Sequence, residues 1–173
     1  MDDYTQNLDK FTRIGTNSSN LLLCLIEDIL NLSKMDAGIF TINTSDFYVK
    51  ELIDEVFDVY YQQWGLKNID LLVNFDESLN EYMIKSDKSR LKQILMNLLS
   101  NSYKFTFEGS ISISVRPDLV ENEEVIKFWV TDTGIGIKEE NQPKLFKLFG
   151  MVKNNNQKDI NPNGWGIGLT VSK

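Results

Sequence analysis

Histidine is missing from this 173-residue chain. Its absence removes the Ser-His-Asp triad, the Cys-His pair and every zinc site built on imidazole. Cysteine is nearly as scarce. The lone Cys24 sits among leucines and reads as a small core residue in a reducing compartment, and one thiol leaves no all-thiolate metal site. Basic residues are outnumbered, 18 Lys and Arg against 25 Asp and Glu. The net charge of −7 argues against nucleic acid or an anionic membrane surface as the main partner. No apolar run approaches the roughly 20 residues that span a bilayer, and no signal-peptide pattern opens the chain. The chain therefore reads as a cytoplasmic domain, with any membrane attachment of its parent left open. A hydrophobic fraction of 42% supports one ordinary core with a short appendage. Magnesium on oxygen ligands stays compatible with this composition.

Periodicity predicts a helix from about Asn17 to Ala37. Leu22, Leu25, Ile26, Ile29 and Leu32 recur at three- and four-residue steps, and Leu21, Leu23 and Leu30 widen the apolar face. A helix apolar over so much of its circumference packs against several partners, and its place at one end of the chain favours a dimerising bundle helix over an ordinary core helix, ended by Gly38. Ile39 to Asn43 alternates weakly, as a strand would. A second helix is expected from about Tyr48 to Trp64, with Val49, Leu52, Ile53, Val56 and Tyr60 inward. Asp70–Phe75 reads as a strand, and Asp87 as the cap of a third helix reaching about Phe105. Ser110–Arg116 and Val125–Thr131 alternate as two strands, with Pro117 and the acidic Glu121–Glu124 stretch expected in a solvated loop between them. Pro143–Phe149 is expected as a short helix, and Asn154–Asn163 as a polar loop. Helices followed by antiparallel strands indicate an α+β sandwich with helices on one face of a mixed sheet.

Three segments carry chemistry. On the third helix, Leu91, Ile94, Leu95, Leu98 and Ser102 are expected to share a face, with Arg90, Asn97, Asn101 and Lys104 on one flank at about 100° per residue. Amide oxygens suit magnesium, and a nearby lysine suits phosphate. Next, Asp132-Thr-Gly134-Ile-Gly136-Ile137 follows an apolar strand. Alternate glycines let a backbone turn sharply and approach a flat ligand, and the carboxylate can accept from an exocyclic amine. Last, Gly164-Trp165-Gly166-Ile-Gly168-Leu169 exposes backbone N–H groups as an anion cradle. Each segment alone fits an ordinary polar flank, a tight turn or a glycine-rich loop. Their combination and order are specific.

Together these segments resemble sensor histidine kinases, of the hybrid type. Leu91 to Thr106 resembles their asparagine box, Asp132 to Ile137 their first glycine box, Leu145-Phe146-Lys-Leu-Phe149 their phenylalanine box, and Gly164 to Leu169 their second glycine box. Leu22 to Gly38 is similar to the second helix of their dimerisation and histidine-phosphotransfer domain. The resemblance implies a Bergerat-type ATP-binding sandwich over residues 39–173, preceded by part of a bundle-type dimerisation hairpin over 1–38. It implies ATP and Mg2+ as cofactors, with Asp132 on the adenine amino group and Gly134 and Gly136 shaping the base pocket. Asn101 would hold the metal, supported by Asn97, and Lys104 would contact phosphate, making Asn97 and Lys104 the catalytic pair. Gly164, Gly166, Gly168 and Leu169 would wrap the phosphates, and Phe146 and Phe149 would anchor the lid between. The implied partners are a histidine-bearing hairpin of the parent protein, a response-regulator receiver domain and a second copy in a homodimer, with no nucleic acid. The acceptor histidine is expected outside this chain, and the closing helix and strands of the fold beyond Lys173.

Two rivals stand beside this reading. Gyrase-, chaperone- and mismatch-repair-type ATPases share the fold but use a glutamate as general base at the position of Asn97. An amide does not take a proton from water near neutral pH, so Asn97 favours transfer to a separate acceptor over hydrolysis. A degenerate, non-catalytic nucleotide-binding module is the other rival. Trp165, standing where the family usually has a small or hydroxyl residue, is its best support.

Overall fold

A computed structural model of the chain describes residues 29–64, 68–146 and 168–172, together with 11, 12, 15, 19, 22, 23, 26 and 27. Cys24, Leu21, Leu25, Phe149, Gly164, Trp165 and Gly166 lie outside the described residues, as do the polar stretch 154–163 and the side chain of Tyr60. The chain divides into two compact units, Met1–Thr41 and Ile42–Lys173.

In the first unit the described residues from 22 to 36 are helical, and this helix is α1. It ends as its sequence demands. Gly38 takes φ +67°, its N–H donates to the Met35 carbonyl, and the Ile39 N–H reaches back to Lys34, each at 3.0 Å. That pairing is the glycine-terminated Schellman arrangement, which a residue with a Cβ resists. Leu22, Leu23, Ile26, Ile29 and Leu30 are 45–58% exposed. Ile39 and Ile42 are exposed too, and residues 39–44 form no strand. Their alternation has no core to face, which corrects the strand expected there.

The second unit begins with β1 (Ser45–Tyr48). It is anchored by buried Phe47 and paired antiparallel with β3 (Met83–Ser86), Phe47 opposite Ile84. The sequence did not reveal β3, because four residues with Ile84 and Ser86 half-buried give too short an alternation, with only one of the two inward side chains apolar. Between them come α2 (Val49–Trp64) and β2 (Ile69–Phe75), followed by a 3-10 turn at Glu77–Leu79 that drives Leu79 into the core. Val49, Leu52, Ile53 and Val56 of α2 are at most 1% exposed, the inward stripe that the spacing required.

Helix α3 (Lys88–Phe105) is capped by Asp87, which accepts the Arg90 N–H at 3.1 Å. Its deepest residues are Leu95, Leu99 and Ser102. Ile94 and Leu98, expected on the core face, are only half-buried because the helix is rotated to centre on Leu95 and Leu99. Strand β4 (Gly109–Val120) runs parallel to β2 and antiparallel to β5 (Glu123–Asp132), giving the sheet order β2-β4-β5. Ile111, Ile113 and Val115 face α2 and α3, with Phe128 and Val130 opposite them on β5. Helices thus lie on one face of a mixed sheet.

The hairpin is tighter than expected. Pro117 and Glu123–Glu124 lie within the strands, and the loop is Glu121-Asn122 alone, at φ 52° and 70°. Pro117 is tolerated because β2 stops opposite Val115, so no third strand needs its missing N–H. Further on, Glu139–Lys144 forms a 3-10 helix with Pro143 inside it, and residues 147–149 of the helix expected at 143–149 lie outside the described residues. A final turn, α4 (Gly168–Val171), packs on α3. Among the described residues no helix is long and apolar enough to cross a membrane.

Candidate functional site: the flank of α3 and the end of β5

Side-chain alternation along β5 aims the site. Ile126, Phe128 and Val130 point toward the helices, so two residues on Asp132 points there too. Its carboxylate accepts the Ser102 hydroxyl on Oδ2 at 3.2 Å and the Gly134 N–H on Oδ1 at 2.9 Å. Ser102 is 6% exposed and Asp132 is exposed, so the carboxylate is held from the protein side while its outer edge meets solvent. Each carboxylate oxygen has about two acceptor positions. One on each is used by the protein, and the others remain for a donor arriving from outside.

The turn after Asp132 explains its two glycines differently. The Ile135 N–H donates to the Phe105 carbonyl at 3.2 Å, pulling the turn onto the end of α3. A Cβ on Gly134 would run into that Phe105 oxygen and lie 2.9 Å from Asp132 Oδ1. Gly134 is therefore required by close packing. Gly136 has open space around it but sits at φ +65°, so the turn itself requires it. Thr133 ties the turn to the sheet: its N–H donates to the Ser110 carbonyl at 3.1 Å, and its Oγ1 accepts the Ser110 N–H at 3.0 Å.

Along α3, Asn97, Asn101 and Lys104 are half-buried on one flank. The Asn97 carboxamide reaches α4, donating from Nδ2 to the Gly168 carbonyl at 3.3 Å and to Ser172 Oγ at 3.2 Å. None of the side-chain hydrogen bonds among the described residues engages the Asn101 carboxamide. Burial pushes the Lys104 ammonium below its usual range. A cation so desolvated gains from an anion placed beside it. No group of three His, Cys, Asp or Glu is placed to hold a metal ion among the described residues. A magnesium ion at Asn101 would thus share its coordination with phosphate oxygens and water, the arrangement this ion commonly takes.

Of the residues expected to form the site, Asp132 and Gly134 meet at the C-terminal end of α3, Asn97 and Gly168 meet farther up its flank, and Leu169 is half-buried in α4. Phe146 lies in the turn after the 3-10 helix, 49% exposed. Phe149, Gly164 and Gly166 lie outside the described residues. Sequence reasoning assigned no role to Ser102, Thr133 or Ser172. A hydroxyl on the buried stripe of α3 was the available signal for Ser102. Thr133 and Ser172 carried none.

The same chain matches a family model described as Histidine kinase-, DNA gyrase B-, and HSP90-like ATPase over residues 86–173. Among curated proteins it is 39% identical over 170 residues to Hybrid signal transduction histidine kinase L of Dictyostelium discoideum, covering 98% of this chain and 10% of that protein. It thus spans about a tenth of that relative's length. Among solved structures it is similar to full-length ShkA in complex with AMPPNP, with a TM-score of 0.68 at 24% identity, covering 87% of this chain and 29% of that one. It is also similar to histidine kinase ThkA in complex with response regulator protein TrrA, with a TM-score of 0.55 at 27% identity, covering 82% and 40%. With just over half of its length inside the matched model and the Asp132 turn built against α3, the chain belongs to the histidine kinase-, DNA gyrase B- and HSP90-like ATPase family.

Proposed function

We propose that this chain is the ATP-binding catalytic portion of a hybrid sensor histidine kinase. It transfers the γ-phosphoryl group of ATP to a histidine outside these 173 residues, for relay to an aspartate on a receiver domain. The observation that carries this choice within the family is Asn97. A hydrolytic relative needs a carboxylate there to activate water, and an amide has no comparable basicity. The hybrid relative in Dictyostelium and the ThkA complex with a response regulator support the relay partner.

In this reading Asp132 accepts the adenine amino group on the edge that Ser102 and Gly134 leave open, with Gly134 and Gly136 shaping the base pocket. Asn101 offers a neutral oxygen to magnesium, Asn97 supports it from one turn back, and Lys104 meets phosphate. Gly164, Gly166, Gly168 and Leu169 line the phosphates, and Phe146 and Phe149 anchor the segment between. Magnesium supplies charge neutralisation on the phosphate oxygens when bound with the nucleotide. The chain's own contribution is positioning, which carries most of the catalysis in phosphoryl transfer.

Residues 1–38 are read as part of the dimerisation hairpin, and 39–173 as the catalytic domain. The 45–58% exposure of Leu22, Leu23, Ile26, Ile29 and Leu30 supports a partner helix there and a homodimer of the parent protein. A need for ATP supports a cytoplasmic placement of the domain. The test is to mix the chain with a histidine-bearing hairpin and labelled ATP. An acid-labile phosphoprotein is expected, and steady release of inorganic phosphate without one would replace the kinase reading with a hydrolytic one.

A further inference from the structure

Three groups from two elements converge on the Gly168 carbonyl. It accepts the Ser172 N–H at 3.1 Å, the Ser172 hydroxyl at 2.9 Å and the Asn97 Nδ2 group at 3.3 Å. Asn97 Nδ2 also meets Ser172 Oγ at 3.2 Å, closing a triangle between α3 and α4. The chemistry of the triangle fixes the direction of each bond. A carbonyl oxygen only accepts, so the nitrogen end of the Asn97 amide must face Gly168. The Ser172 hydroxyl spends its single proton on the same carbonyl, so toward Asn97 it can only accept. Both partners of the amide nitrogen are acceptors, and the amide oxygen is left turned away from them. A Cβ on Gly168 would come within 3.3 Å of Asn97 Cγ, so the amide lies close over the glycine.

We infer that Asn97 and Ser172 are positioning residues that pin the start of α4 to α3, and that this triangle accepts an amide at position 97 but rejects a carboxylate. An aspartate there would set a negative oxygen against the Gly168 carbonyl with one shared hydroxyl proton between them. A carboxylate in the place of this amide is thus excluded by the bonds Asn97 makes, and the amide itself lacks the basicity that activating water requires. Ser172 is the partner that makes the exclusion work. The nucleotide consequence rests on the ATP-binding reading above: the closed triangle holds Gly168 against Asn97, one helical turn before Asn101.

The test is calorimetric titration of the 173-residue chain with Mg-ATP, beside Ser172→Ala, Ser172→Thr and Asn97→Asp, with hydrogen exchange at the amide of residue 172 in each. Loss of one neutral hydrogen bond predicts that Ser172→Ala binds about three- to tenfold more weakly. Ser172→Thr keeps the hydroxyl and is expected to restore most of that affinity. Asn97→Asp is expected to bind at least about tenfold more weakly and to release no inorganic phosphate. Unchanged affinity in Ser172→Ala, no rescue by threonine, or an Asn97→Asp chain that binds normally or hydrolyses ATP would each overturn the inference. Should the unaltered chain fail to bind Mg-ATP, the function proposed above falls and the triangle is judged by exchange alone. Faster exchange at residue 172 in Ser172→Ala and Asn97→Asp, but not in Ser172→Thr, supports it, and equal exchange in all four chains rejects it.

Discussion

Asp132 takes a hydroxyl on one oxygen and a backbone N–H on the other, and each bond survives replacement by asparagine if the new amide nitrogen faces Ser102 Oγ. The Asp132→Asn chain is therefore expected to fold normally. It loses the negative charge and half of its acceptor capacity at the edge open to a ligand. A hydrogen bond to a charged group contributes about 1.5–3 kcal/mol, so nucleotide affinity is expected to fall roughly tenfold or more. The two glycines of the turn separate in the same way. Gly134→Ala forces a methyl group against the Phe105 carbonyl and is expected to cost about 1–3 kcal/mol, with the turn displaced. Gly136→Ala meets nothing nearby and carries only the strain of φ +65°, about 1–2 kcal/mol. Urea unfolding of the two variants checks the stabilities, and nucleotide titration is expected to show the larger loss for Gly134→Ala.

At the scale of elements, α3 carries the flank of the candidate site, and its start is fixed by Asp87. That carboxylate is 6% exposed and accepts two backbone N–H groups, from Arg90 at 3.1 Å and from Asn43 at 2.9 Å. Burial acts to raise its pKa, and the Asn43 and Arg90 N–H groups with the Arg90 charge outweigh that, leaving it below the usual carboxylate range. Asp87→Ala removes the cap and leaves the Asn43 N–H unanswered, an expected loss of about 2 kcal/mol read from the urea midpoint. Caps, inward stripes and glycine stops were legible in the sequence because each depends on residues a few positions apart. The Schellman end at Gly38 and the α2 stripe from Val49 to Val56 came out as their spacing required. What depended on distant partners did not. Strand β3 exists through pairing with β1, about 40 residues away, and the rotation of α3 toward Leu99 is set by β4 and β5 beneath it. The candidate site divided along the same line. Asp132 and the paired glycines announced themselves locally, whereas Ser102 and Ser172 matter through contacts 30 and 75 residues away.

At the scale of the whole molecule, α2 and α3 are tied at the surface by Glu55, which receives Lys88 at 2.7 Å and Lys92 at 2.6 Å. Hydrogen bonds from Lys88 and then Lys92 hold the Glu55 carboxyl down to about 2, from an ordinary 4.5. A depressed acid stabilises the fold above its unfolded value and loses that contribution as pH falls through the folded one. The window is therefore between 4.5 and about 2. Glu55→Gln is expected to flatten the fall of the urea midpoint across that range and to lower stability modestly at neutral pH, since the group is 39% exposed and screened by salt. An unchanged slope would remove Glu55 from the acid response.

In the proposed function α3, the Asp132 turn and α4 together hold a nucleotide. The most direct measurement is calorimetric titration of the chain with ATP, with and without magnesium, beside Asp132→Asn. The account predicts saturable one-to-one binding that magnesium strengthens and that the variant loses by roughly tenfold or more while keeping its circular dichroism spectrum. Equal affinity in the folded variant, or no binding by the folded unaltered chain, would contradict it.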